Sequence, residues 1–171
     1  LESRLTDIIA EGYDYVFRCA QLKDSRLIAR KLMEIESRLV AAPALFDHYT
    51  QPSHPEDITQ LPCLAYAAQP KVSWQFKQTR QLKTIEIEPI LSCNLLSFVK
   101  ECVLSGVGIG TLPNFMIEHE IKQDVLCYVL PEWRMPTVPL YLVYPSKRHL
   151  TLKNRSFLDF ILTQFKELGA A

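Results

Sequence analysis

Residues 91–113, LSCNLLSFVKECVLSGVGIGTLP, narrow the possible folds more than any other part of the chain. Polar Ser92 and Asn94 precede apolar residues at 95, 98, 99, 102 and 103, the spacing of a helix with one face on a core. Gly106 then ends the helix, 109–112 continue as a strand, and Pro113-Asn114 suits the start of another helix. Helix, glycine turn, strand and helix in that order belong to a layered α/β domain. The glycines at 106, 108 and 110 do not read as a phosphate loop. That fingerprint follows a strand and opens a helix, whereas these close a helix and open a strand.

The rest of the chain fits the same class. Short β-rich runs are expected at 14–18, 38–42, 63–67, 72–76, 84–90, 125–130 and 140–144, with helices at 44–49, 114–122 and 157–168. Leu5, Ile8 and Ile9 share a further helical face, and Pro131, Pro136 and Pro139 mark a connector. At 171 residues and 48% hydrophobic content the chain can build one domain or two small lobes.

Composition excludes several functions. Nineteen basic residues balance nineteen acidic ones and the pI is near 7.1, so nothing marks a nucleic-acid footprint. No apolar run approaches the roughly 20 residues of a membrane helix, and no membrane partner is expected. Five cysteines, at 19, 63, 93, 102 and 127, form no C-x-x-C pair, which favours reduced thiols and a cytoplasmic location over disulfides or zinc. His48, His54, His119 and His149 have no metal-ligand spacing, so neither metal nor cofactor is expected. Without a G-x-S-x-G elbow or a carboxylate cluster, an enzyme is not expected either.

Five motifs carry a resemblance: Gly12-Tyr13-Asp14-Tyr15-Val16-Phe17-Arg18, Arg38-Leu39-Val40-Ala41-Ala42-Pro43, His54-Pro55-Glu56-Asp57-Ile58, the 94–113 stretch and Tyr144-Pro145-Ser146-Lys147-Arg148-His149. In this order and spacing the chain resembles the effector-binding domain of LysR-type transcriptional regulators. The resemblance implies an α/β fold like the type 2 periplasmic binding proteins, two lobes with a ligand cleft between them. Lobe I is expected at 1–61 with 138–171, and lobe II at 62–137. Family members also carry a winged helix-turn-helix, a linker helix and a first strand and helix of lobe I that these residues lack. The natural protein is therefore expected to be longer, with DNA bound only through that N-terminal domain.

The resemblance further implies a homodimer or homotetramer that senses a small molecule, here expected to be an anionic or aromatic acid. Ser92, Cys93 and Asn94 at a helix start, and Thr111 on the following strand, are the candidate contacts from lobe II. Capping by Ser and Asn explains the first group equally well. Arg18, Ala20 and Ser25 are the candidates from lobe I. Arg18 offers a guanidinium that binds a carboxylate bidentately, although a structural ion pair with Glu11 or Asp24 accounts for it too. Two alternatives stand beside this reading, an exported solute-binding protein and a thiol redox sensor using Cys93 and Cys102. Nine residues of helix put these two thiols on opposite faces roughly 13.5 Å apart, too far for a disulfide, so a redox switch requires this helix to melt.

Overall fold

The computed structural model describes residues 11–19, 27–67, 71–145 and 151–169. The elements in chain order are β1 (Val16–Arg18), β2 (Leu27–Ile35), β3 (Ser37–Ala41), 3-10 turns Pro43–Asp47 and Pro55–Gln60, β4 (Cys63–Tyr66), β5 (Val72–Gln78), β6 (Gln81–Ile87) and β7 (Leu91–Cys93). There follow α1 (Leu96–Leu104), β8 (Ile109–Pro113), a 3-10 turn Asn114–Met116, α2 (Glu118–Lys122), β9 (Cys127–Tyr128), β10 (Val138–Pro145) and α3 (Leu152–Gly169). The expected helical face of Leu5, Ile8 and Ile9 lies outside the described residues, as do 146–149 of the last motif.

The chain divides into two units, Leu1–Ile35 with Thr137–Ala171, and Glu36–Pro136. The expected boundary at 61/62 is therefore corrected to 35/36. Residues 36–61 belong with the second unit because β3 lies between β8 and β9, hydrogen-bonded antiparallel to both.

In the first unit β10 is the middle strand of the antiparallel sheet β1-β10-β2. Its near-continuous apolar sequence is explained by that place, since Leu142, Val143 and Tyr144 are all buried. Leu158 of α3 packs on Leu142 and Tyr144, flanked by Ile161 and Leu162. The Tyr15 ring sits 5.4 Å from that of Tyr144 and 5.0 Å from that of Phe157. Its hydroxyl donates to the Asn154 carbonyl at 2.6 Å, so the polar end of a half-buried aromatic is satisfied.

The second unit is built on a five-stranded sheet, β7-β4-β8-β3-β9, in which β4 runs parallel to both neighbours. Alternation along the strands supplies two apolar faces. Leu39, Ala41, Cys63 and Ile109 pack with Ile58, Trp133 and the inward residues Trp74, Phe76, Ile85 and Ile87 of the β5–β6 hairpin. Val40, Leu64 and Leu112 pack on the other side against Val99 and Val103 of α1. Gly110 permits that close approach, because a Cβ there would lie 2.7 Å from Val103 Cγ2.

Several sequence expectations change: no strand is expected over β2, the helix expected at 44–49 is the 3-10 turn Pro43–Asp47, and that at 114–122 divides into a 3-10 turn and α2. The strand expected at 125–130 shrinks to Cys127–Tyr128, because Asp124 and Leu130 both take left-handed backbone (φ 57° and 55°) and bend the chain at each end. The helix expected to begin at 92–94 starts at Leu96 with Leu95 as its N-cap, so Ser92 and Cys93 belong to β7.

Candidate functional site

In open α/β sheets ligands bind beyond the carboxyl ends of the strands, which in the second unit are the ends of β7, β4 and β8. Ser92 pairs with Ala65, which follows Leu64, and Thr111 follows Gly110, the partner of Leu64 across β4–β8. The two hydroxyl residues thus reach the same level on either side of β4. They share the sheet face of Leu39, Cys63 and Ile109, away from α1. Ser92 is exposed and Thr111 half-buried, while Ala65 between them carries only a methyl group and is buried. Asn94 occupies the bend from β7 into α1. The helix that follows has no acidic residue in its first turn and no side-chain cap, which leaves its first N–H groups without intrahelical partners.

Cys93 does not join this group. Strand alternation turns it toward α1, where it packs with Leu91, Leu96 and Cys102 around the cluster of Val99 and Val103. Its thiol donates to the Leu95 carbonyl at 3.3 Å. Cys93 and Cys102 do not share a helix as expected, because Cys93 is on β7 and Cys102 on α1. Burial pushes the Cys63 thiol up to about 11 and raises Cys127 as well, so both are poor nucleophiles at neutral pH.

In the first unit Arg18 ends β1 opposite Tyr141 of β10. Ala20 and Ser25 lie outside the described residues. Among the described residues no group of three or more His, Cys, Asp or Glu is placed to hold a metal, and no helix is long and apolar enough to cross a membrane.

Sequence reading missed Arg38. It is a buried cation, 6% exposed, whose Nη2 donates to the Pro131 carbonyl at 2.8 Å and whose guanidinium lies 4.7 Å from the Tyr128 ring centre. The apolar run Leu39-Val40-Ala41-Ala42 that follows it was the available signal of burial.

Residues 2–166 match the LysR substrate binding domain. The chain belongs to that family. DmlR of Escherichia coli K12, a transcriptional regulator, is 30% identical over 169 residues, which cover 98% of this chain and 55% of that protein. PtxR of Pseudomonas aeruginosa is 27% identical over 92% of the chain and 51% of its own length. Full-length AphB of Vibrio cholerae superposes with a TM-score of 0.82 at 26% identity, covering 96% of this chain and 56% of AphB. The CrgA regulatory domain of Neisseria meningitidis gives 0.81 at 27% identity, covering 92% and 78%. The fold is thus the two-lobed α/β fold of LysR-type regulatory domains, resembling type 2 periplasmic binding proteins. These relatives are regulators of transcription rather than enzymes. The chain spans about half the length of the curated relatives it matches.

Proposed function

We propose that this domain binds a small carboxylate-bearing effector for a LysR-type transcriptional regulator in the cytoplasm, whose DNA contacts are made outside these residues. The observation that carries the reading is the hydroxyl pair Ser92 and Thr111 at one level of the parallel strands, where α1 begins four residues after Ser92. Hydroxyls and helix N–H groups are donors to an anion. Asn94 adds a carboxamide, and Arg18, Ala20 and Ser25 are the proposed contacts from the first unit. An effector changes the regulator's state only through its differential affinity for two arrangements. Assembly as a homodimer or homotetramer is part of the same reading and rests on membership of the family.

A thermal-shift screen of metabolite acids, followed by calorimetry with the acid that stabilises the domain, tests this. Asn94→Ala, Thr111→Val and Arg18→Ala are each expected to weaken binding by about 1–3 kcal/mol, the loss on removing a polar partner of a charged group. Unchanged affinity in all three folded variants overturns the site.

The Cys93 thiol is a hydrogen-bond donor in a partly buried apolar setting, which gives no support to redox sensing. Cys93→Ser and Cys102→Ser are expected to leave the effector response intact. Mass spectrometry after peroxide treatment is expected to show no bond between these two cysteines. Such a bond, with loss of the response, would establish the redox reading instead.

A further inference from the structure

The second unit has a depression of about 370 Å³ that shares no residue with the strand-end group. Pro52, Leu130 and Trp133 form its buried floor. Ser53, His54, Gln78, Gln81 and Glu132 stand on its rim, with His54 Nδ1 3.1 Å from Ser53 Oγ, and no Lys or Arg lines it. Its size is at the lower end of the range for small-molecule sites, about 300–1,000 Å³, and the pattern of apolar floor and polar rim is theirs too.

The charges around it give the ligand's sign. Glu132 supplies a carboxylate and the two glutamines supply carboxamide oxygens. The nearby cations are engaged elsewhere. Arg38 is turned to the Pro131 carbonyl and Tyr128, Arg134 is 2.7 Å from Glu36, and Lys83 is 2.6 Å from Glu56. Arg80, in the tip between Gln78 and Gln81, is a like charge at the edge.

Both walls are held in unusual backbone. Thr79, within the hairpin tip, and Leu130, on the floor, are left-handed at φ 50° and 55°, a region that disfavours a residue with a Cβ. Such positions persist only where the surroundings fix them. Here the antiparallel bridge between Lys77 and Arg134 ties the hairpin to the chain just after Trp133, so the two walls form one frame.

We propose that this depression is a second small-molecule site, for a small organic cation: an ammonium or guanidinium on a short carbon chain. Glu132 and the two glutamines hold the charge, and the carbon chain lies on the Trp133 side. The site is independent of the strand-end site.

The chain has two tryptophans, so ¹⁵N-tryptophan labelling gives two indole signals, assigned with Trp133→Phe. Titration with n-butylamine and agmatine is expected to move the Trp133 signal saturably, with a dissociation constant of about 1–10 mM, ordinary for fragments of this size. Glu132→Gln is expected to weaken binding by about fivefold or more, and Arg80→Gln to tighten it by about twofold, as the signs of the charges require. Asn94→Ala and Thr111→Val should leave it unchanged, which separates this site from the effector reading. No shift at high amine concentration overturns the proposal. So does a shift that Glu132→Gln leaves intact, or an equal response to butyrate.

Discussion

Gly108→Ala is expected to destabilise the second unit by about 3 kcal/mol or more, at the upper end of overpacking substitutions. A Cβ at Gly108 would run into the carbonyl oxygen of Pro62 and stand 3.0 Å from its carbon and 3.3 Å from Leu64 Cγ. Neither neighbour is a flexible side-chain end. The same carbonyl oxygen accepts from Ile109 N–H at 2.8 Å, so moving β8 away from β4 gives up the bond that starts their pairing. Gly110→Ala meets the Val103 methyl instead, which yields by a small shift of α1, and about 1–3 kcal/mol is expected. Gly106→Ala meets no atom within 4 Å, but φ is 71°, so about 1 kcal/mol of backbone strain is expected. Urea denaturation of the three variants should rank them 108, 110, 106 in descending loss. A largest loss at 106 would mean that turn geometry, rather than sheet and helix packing, keeps glycine in this motif.

That ranking shows what the sequence could and could not convey about the stretch. The order helix, glycines, strand excluded a phosphate loop, and the structure supplies the positive reason for the two glycines on and beside β8. The helix register was less legible. Periodicity selects 95, 98, 99, 102 and 103, but Val99 and Val103 are fully buried while Leu95 and Phe98 are half exposed. Apolar residues that stay exposed and those that enter a core look alike in sequence, and a helix of nine residues has too few turns for the pattern to separate them. The first unit boundary failed for a related reason. The run 38–42 reads as a buried strand, but its hydrophobicity does not say which sheet receives it, and pairing with β8 requires contacts some 70 residues away. In the candidate site, Ser92 and Thr111 were legible as polar residues at element ends. Strand and helix place adjacent side chains differently, and alternation in β7 sends Cys93 to the face opposite Ser92, which periodicity alone did not convey.

Arg38→Ala is expected to cost about 2–4 kcal/mol, whereas Arg134→Ala should cost at most about 1 kcal/mol, although both guanidinium groups address the same Glu36 carboxylate. Arg134 Nη1 has the shorter contact, 2.7 Å, but its side chain is 62% exposed and water replaces what is lost. Arg38 Nη1 is 3.6 Å from the same oxygen with its side chain 7% exposed. Distance alone would rank the pair the other way; burial decides it. Removing Arg38 deprives the half-buried Pro131 carbonyl of its donor, uncovers the Tyr128 ring and leaves a void between β3 and the 130–133 turn. Arg38→Lys should recover less than half of the loss, because a single ammonium cannot both donate to the carbonyl and lie flat on the ring. Chemical denaturation at low and high salt distinguishes the two arginines further. Added salt should erase the effect of Arg134→Ala and leave that of Arg38→Ala nearly unchanged, since screening acts on exposed charges and not on a desolvated guanidinium. Equal losses at the two positions would show that the shared carboxylate, rather than the carbonyl and ring that hold Arg38 alone, dominates this cluster.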